Sequence, residues 1–334
     1  MTTSFKTLPT AWLFPGQGSQ AVGMGSDLLH AYPDVLTPLA TQAERLCAEA
    51  GAPNLLAVLA EGPAETLQET RYTQPALLLV SLMMVRLLAH QAPELRPAVV
   101  AGHSLGELAA LVAANVITEA DALALVAERS RLMQQAPAGA MAAVLGLTAS
   151  QVNEALSQAG VGNTATDANL CVIANDNASQ QIVITGTAVG LEQATPALKA
   201  AGAKRVVPLP VGGAFHSPLM GEANAVFAQA IDAVTFSPAT CDVISNVTGQ
   251  ASRCPDTLKA NLKAQMTGSV QWVATQHALE QAGITQALEL GAGAVLAGLA
   301  KKTTPSLSVT SVGSVDAWQT CLASLTPAPC AVGV

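Results

Sequence analysis

Gly102-His103-Ser104-Leu105-Gly106 sets a serine between two glycines at the end of an apolar, valine-rich run, Ala98 to Ala101. An Ala/Leu-rich segment of helical character, Glu107 to Ala114, follows at once. The order predicts strand, tight turn and helix, with Ser104 at the apex. A nucleophile on such a turn needs small neighbours two residues to either side so that backbone can pass close. The helix start behind it offers unpaired N–H groups to an anion. The chemistry this suits is nucleophilic attack on an acyl group; a glycine-rich turn whose serine caps a helix is the other reading of the same residues.

A serine nucleophile needs a base, and the chain has five histidines. His103 adjoins Ser104, where side chains on a tight turn diverge. His30 and His90 fall near helix C-termini, a common structural place for imidazole. His277 falls in an amphipathic helix. His216, within Val211-Gly-Gly-Ala-Phe-His-Ser-Pro218, lies on a loop just before a helix that Ser217 and Pro218 open. Loop context and the order serine, then histidine, suit a general base of a hydrolase-type fold. A third group stands out on the helix that a Thr118-Glu-Ala-Asp121 capping box opens and that runs to Gln135. Ala122, Leu125, Val126, Leu132 and Met133 share one face, with Arg129 in its middle. A guanidinium there requires an anion, either a carboxylate of the fold or the carboxylate of a substrate held bidentately.

The elements that must position these groups follow from pattern. Ala11 to Pro15 predicts a buried strand entering the loop Gly16-Gln17-Gly18-Ser19-Gln20. Gly16-x-Gly18-x-x-Ala21 formally satisfies a dinucleotide fingerprint, but Pro15, two glutamines and the lack of a second strand ending in an acidic residue ~20 positions on oppose it. A loop that lends an N–H or an amide to an active site suits it better. Thr73-Gln74-Pro75 opens an apolar helix from Ala76 to Ala89. From 140 to 209 the order is strand, helix, strand, strand, helix, strand, that of a ferredoxin-like module. Ala136 to Gly139 and Pro208 to Gly213 are its hinges. The expected architecture is therefore α/β: an α/β-hydrolase-like large domain, 1–139 with 210–315, having a parallel sheet and a nucleophile elbow, an inserted ferredoxin-like domain over 140–209, and a poorly ordered tail over 316–334.

Composition narrows the partners. The chain has 334 residues, half of them apolar and 11% charged, enough to bury a large core. No uninterrupted apolar run reaches the ~20 residues of a membrane span, and the start, Met-Thr-Thr-Ser-Phe-Lys, lacks a secretory pattern. A net charge of −8 and 3% aromatic residues argue against nucleic acid. Six scattered cysteines (Cys47, Cys171, Cys241, Cys254, Cys321, Cys330) form no metal-ligand spacing. A reducing cytoplasm and a chain without metal or cofactor are expected.

Several stretches together resemble the malonyl-CoA:acyl-carrier-protein transacylase family and the related acyltransferase domains of polyketide synthases. They are Phe14-Pro-Gly-Gln-Gly-Ser-Gln20, Thr73-Gln-Pro-Ala-Leu77, Gly102-His-Ser-Leu-Gly-Glu107, Arg129 with Met133-Gln134, Gly213-Ala-Phe-His-Ser-Pro-Leu-Met220, Asn246-Val247, Gln265 with Val270-Gln-Trp272, and Gly291-x-Gly293-x-Val-Leu296. They run in family order from about 11 to about 300. Two departures are an alanine between Gly291 and Gly293, where the family usually has proline, and Gly212-Gly213 where one residue is often serine.

The resemblance implies a malonyl transfer from malonyl-CoA to the phosphopantetheine thiol of an acyl carrier protein, in fatty-acid or polyketide synthesis. Ser104 would be the nucleophile, His216 its base, the N–H groups of Gln17 and Leu105 the oxyanion hole, and Arg129 the holder of the malonyl carboxylate. A main-chain carbonyl near Gln265 would orient the histidine, with Asn246 close by and no aspartate completing a triad. Phe215 fits a malonyl preference over branched extenders. An acidic carrier protein would meet Lys199, Lys204, Arg205, Lys259, Lys263, Lys301 or Lys302, and a monomer is the default. The alternatives are an acyl-thioester hydrolase with the same Ser104 and His216, and a dinucleotide-binding or non-catalytic docking module.

Overall fold

Strands apolar on both faces need cover on both sides, and the chain supplies it with helices. In the computed structural model, which describes residues 10–325, β1 (Thr10–Phe14) and β2 (Val99–Gly102) lie parallel, pairing Ala11 with Val99 and Phe14 with Gly102. Trp12, Phe14 and Val100 enter one apolar cluster, and Ala11, Leu13, Val99 and Ala101 enter another. The alternation is the two-residue period of a strand buried on both faces.

The chain then leaves this sheet for β3 (Ala140–Leu145), β4 (Cys171–Ala178), β5 (Gln181–Gly186) and β6 (Arg205–Pro208). These form a separate antiparallel sheet in the order β4-β5-β3-β6, with helices Ala149–Gln158 and Ala188–Ala200 between strands as the sequence pattern predicts. The two crossings into this unit are tied together, since Ala138 and Gly213 form an antiparallel bridge. On its return the chain adds β7 (Asp242–Ile244), β8 (Ala251–Ser252), β9 (Gln286–Leu290) and β10 (Ser308–Val312). The larger sheet reads β10-β9-β1-β2-β7-β8, parallel except for β8. The fold is thus α/β, with a mostly parallel sheet and a second, small one.

The helix expected from Ala76 begins earlier and spans Thr70–Gln91. Pro75 therefore falls inside the helix, in its second turn, where it removes one backbone N–H donor, and the earlier start winds Gln74 into the helix and buries it. By length and composition this helix could cross a membrane, yet 83% of its apolar window is covered inside the protein. The expected tail, 316–334, is corrected over its first part. Val315–Leu325 is a helix whose Trp318 is fully buried and donates from Nε1 to Gln91 Oε1 at 2.9 Å. Trp318 and Cys321, three apart, carry the helical signal; the proline- and glycine-bearing end that masks it, 326–334, lies outside the described residues.

Candidate active site

The turn between β2 and helix Gly106–Ala113 holds Ser104 at φ 51°, in the left-handed region, where a residue other than glycine is strained. Its glycines are steric necessities. A Cβ on Gly102 would stand 2.0 Å from the Gly106 carbonyl, and one on Gly106 would stand 2.3 Å from the Phe14 carbonyl oxygen. Asn246, at the tip of β7, staples the turn: its Oδ1 accepts from the Ser104 N–H and its Nδ2 donates to the Gly102 carbonyl, both at 2.6 Å. Asn246 is therefore a support of the serine. The sequence reading, which set it beside the histidine, is corrected, because a side-chain amide fits a backbone N–H and C=O pair better than a ring already held elsewhere.

That ring is held from behind. His216, also at positive φ (57°), presents Nδ1 to two carbonyl oxygens, Gln265 at 3.0 Å and Gly268 at 3.1 Å. Two acceptors fix the proton on Nδ1, leaving Nε2 as an acceptor 2.8 Å from Ser104 Oγ. The loop is set by Ser217, whose Oγ accepts from Leu219 N–H and donates to the Ala214 carbonyl. Burial, aided by the nearby Arg129 charge, pushes the His216 imidazole down to about 3, so it is neutral at physiological pH.

Arg129 is buried and reaches the same hydroxyl. Nη2 donates to Ser104 Oγ and to Gln265 Oε1, both at 3.0 Å, and Nη1 to Gln74 Oε1 at 2.7 Å. Its Nε–H has no partner, and no carboxylate lies within ion-pair distance among the described residues. The alternative of a direct structural salt bridge is thereby set aside. A buried guanidinium resting on neutral oxygens is poised for an anion from outside.

The loop after β1 packs against the elbow. Gly16 lies so near that a Cβ would stand 2.5 Å from the His103 carbonyl oxygen, and His103 N–H donates to the Phe14 carbonyl. Ser19 Oγ closes the loop on the Gly16 carbonyl at 2.9 Å. The main-chain N–H groups of Gln17 and Leu105 donate to no acceptor among the described residues. The Gly16-x-Gly18 turn thus serves the elbow, a use different from a phosphate cradle.

Three contributors went unassigned in the sequence. Glu107 is the lone polar side chain of its apolar helix, and that isolation is its signal; Gln74, one of several polar residues in Thr70–Gln91, has no such signal. The Gly268 carbonyl has none either. Gln265 does more than lend its carbonyl: Nε2 donates to the Ser104 carbonyl at 2.9 Å and to Glu107 Oε2 at 2.6 Å. Of the other histidines, His103 bonds Asn177 of β4, His30 the Ser26 carbonyl, and His277 faces Glu280; His90 is exposed. Among the cationic candidates, Lys259 Nζ is engaged by the Asp232 and Val234 carbonyls and Lys263 by Asp232, while Lys204 and Lys302, the latter donating from Nζ to Gln181 Oε1 at 2.7 Å, line one surface groove.

A serine, a neutral imidazole and an arginine without a direct ion pair, converging at a strand-to-helix turn, define an acyl-transferring serine site. The acyl transferase domain model matches residues 11–321, and the chain belongs to that family. It is 40% identical over 309 residues to the malonyl CoA-acyl carrier protein transacylase of Synechocystis, covering 92% of this chain and 98% of that one. The acyl carrier protein S-malonyltransferase of Vibrio cholerae superposes with a TM-score of 0.84 at 36% identity, over 94% of this chain and all of the other. A malonyl-transacylase solved in complex with a type II polyketide-synthase acyl-carrier protein gives 0.85 at 33% identity, over 95% of this chain and all of that one.

Proposed function

We propose that the chain transfers a malonyl group from malonyl-CoA to the phosphopantetheine thiol of an acyl carrier protein through a malonyl-Ser104 intermediate. The observation that carries this reading is the meeting of His216 Nε2, at 2.8 Å, and Arg129 Nη2, at 3.0 Å, on one hydroxyl, Ser104 Oγ.

His216 Nε2 takes the Ser104 proton as Oγ bonds to the thioester carbon. The carbonyl becomes an oxyanion, which the unengaged N–H groups of Leu105 and Gln17 are suited to receive. The tetrahedral centre collapses, the carbon–sulfur bond breaks, and the CoA sulfur leaves with the proton from His216. The carrier thiol then attacks the serine ester while His216 takes its proton and returns it to Ser104 Oγ. The Gln265 and Gly268 carbonyls stabilise the passing imidazolium in place of a triad carboxylate. Arg129 holds the malonyl carboxylate, exchanging its neutral partners for a charged one.

The same reading treats 1–139 with 210–315 as a hydrolase-like unit, to which helix Val315–Leu325 is added, and 140–209 as a ferredoxin-like insertion. It places a monomer in a reducing cytoplasm, in keeping with the free thiols of Cys47, Cys171, Cys241, Cys254 and Cys321. The chain works without a cofactor, and the carrier protein meets the Lys204 and Lys302 groove. No feature of the site favours the hydrolase alternative.

The test is to mix the protein with malonyl-CoA alone and map the adduct by mass spectrometry. A malonyl group on Ser104 is expected; intact substrate with no labelled serine overturns the reading.

A further inference from the structure

Glu107 is the only charged side chain of helix Gly106–Ala113, and it is buried without an ion pair. Its Oε2 accepts from Gln265 Nε2 at 2.6 Å and from Asn246 N–H at 3.3 Å. The other end of that amide, Gln265 Oε1, accepts from Arg129 Nη2 at 3.0 Å. Carboxylate and guanidinium are therefore joined through one neutral amide, in a setting where a lone charge of either sign is costly.

The neighbours of Glu107 leave Arg129 as its counter-charge. Ser245 and Asn246 beyond β7 and Gln265 offer only neutral groups. The arginines of the packed helix Thr70–Gln91 are engaged elsewhere, Arg71 with Glu69 and Arg86 with Glu119. His103 and His216 are turned to Asn177 and Ser104. The transfer proposed above brings a second carboxylate to Arg129. Two anions then share one guanidinium in one buried pocket, and one of them must be neutralised.

We infer that Glu107 is the resident counter-charge of the Arg129 clamp, ionised until a malonyl carboxylate reaches Arg129 and protonated while it is there. The inference rests on the malonyl reading of the site. Burial already pushes the Glu107 carboxyl up to about 7, with Gln265, Asn246 and Arg129 pulling against it. A substrate carboxylate that occupies Arg129 removes one of those pulls. The protonated acid keeps an oxygen for Gln265 to donate to, so the clamp geometry survives. Acetyl-CoA brings no carboxylate and calls for no proton.

Calorimetric titration of the Ser104→Ala protein, which binds acyl-CoA without being acylated, tests this at about pH 7.5 in two buffers of different ionisation heat. Malonyl-CoA is expected to bind with uptake of most of a proton and acetyl-CoA with none, the shared CoA phosphates cancelling in the comparison. Glu107→Gln in the same background should abolish the uptake. Affinity for malonyl-CoA alone should weaken by about tenfold between about pH 6.5 and about pH 8, as linkage to one proton requires. Equal uptake for both substrates, or uptake that survives Glu107→Gln, overturns the inference. If that variant does not fold, the two pH profiles in Ser104→Ala decide, and parallel profiles overturn it. Failure of wild type to form a malonyl-Ser104 adduct is a separate result, which defeats the malonyl reading itself.

Discussion

Arg129 Nη2 donates to Ser104 Oγ at 3.0 Å, while the same hydroxyl faces His216 Nε2 at 2.8 Å. The group suited to receive a carboxylate therefore also touches the nucleophile. An acyl chain that draws the guanidinium toward its own carboxylate removes that donor from Oγ. Selection of the acyl group and readiness of the hydroxyl are in this way parts of one arrangement.

Arg129→Ala should cost malonyl transfer about 100-fold in kcat/KM, the scale of losing a buried, hydrogen-bonded charge pair. Acetyl transfer, which never uses the charge, should fall far less. Steady-state rates with malonyl-CoA and acetyl-CoA give the comparison, and equal losses would sink the clamp assignment.

The His216 imidazole, pushed down to about 3, titrates near 6.5 once unfolded. Between these values the unfolded chain binds the extra proton, so folding stability contributed at this site falls as pH drops from about 6.5 toward about 3. Denaturant midpoints of wild type and His216→Ala, followed over that window, should converge as pH falls. Activity should hold to lower pH than an ordinary histidine allows. Parallel midpoint curves would contradict the assignment.

Asn246→Ala leaves the Ser104 N–H and the Gly102 carbonyl unpaired beneath the elbow. Each buried orphan costs about 1–3 kcal/mol. Thermal unfolding should register that loss, and kcat should fall more than KM rises, because the serine rather than the substrate has lost its support. Unchanged kcat with raised KM would place Asn246 in binding instead.

Charge reversal at Lys204 and Lys302 together should raise KM for the carrier protein and flatten its salt dependence, leaving the rate of Ser104 labelling by malonyl-CoA unaltered. Rim charges act chiefly on encounter, so an effect of about tenfold is expected at low salt. Kinetics indifferent to both changes and to salt would locate docking elsewhere.

What could be read in the sequence was whatever depends on local pattern. Gly102-x-Ser104-x-Gly106 announced its own turn, since backbone closeness demands glycine at both ends. The capping box at Thr118 and the apolar face around Arg129 fixed a helix and its register, and the structure contains both, with Asp121 closing the box. Arg129 stood out because an apolar stripe does not explain a charge. The sequence by itself thus determined the elbow, the small βαββαβ unit and three of the residues that meet, Ser104, Arg129 and His216.

Tertiary structure alone decided how they meet. Ser104, Arg129, His216, Asn246 and Gln265 lie up to 161 residues apart in bonded pairs, and no local periodicity encodes which amide faces which partner. Asn246 lies at the serine and not the imidazole because β7 pairs with β2 and brings its tip beneath the Gly102 carbonyl. Glu107 joins the site because the Pro255–Gln265 helix delivers an amide between it and Arg129. Helix Val315–Leu325 stays on the fold because Trp318 is buried in the main apolar cluster and bonds Gln91, a long-range contact that its own composition does not predict. Side-chain type and spacing limit what chemistry is possible, whereas the pairing of buried donors with buried acceptors is settled only when distant segments are packed.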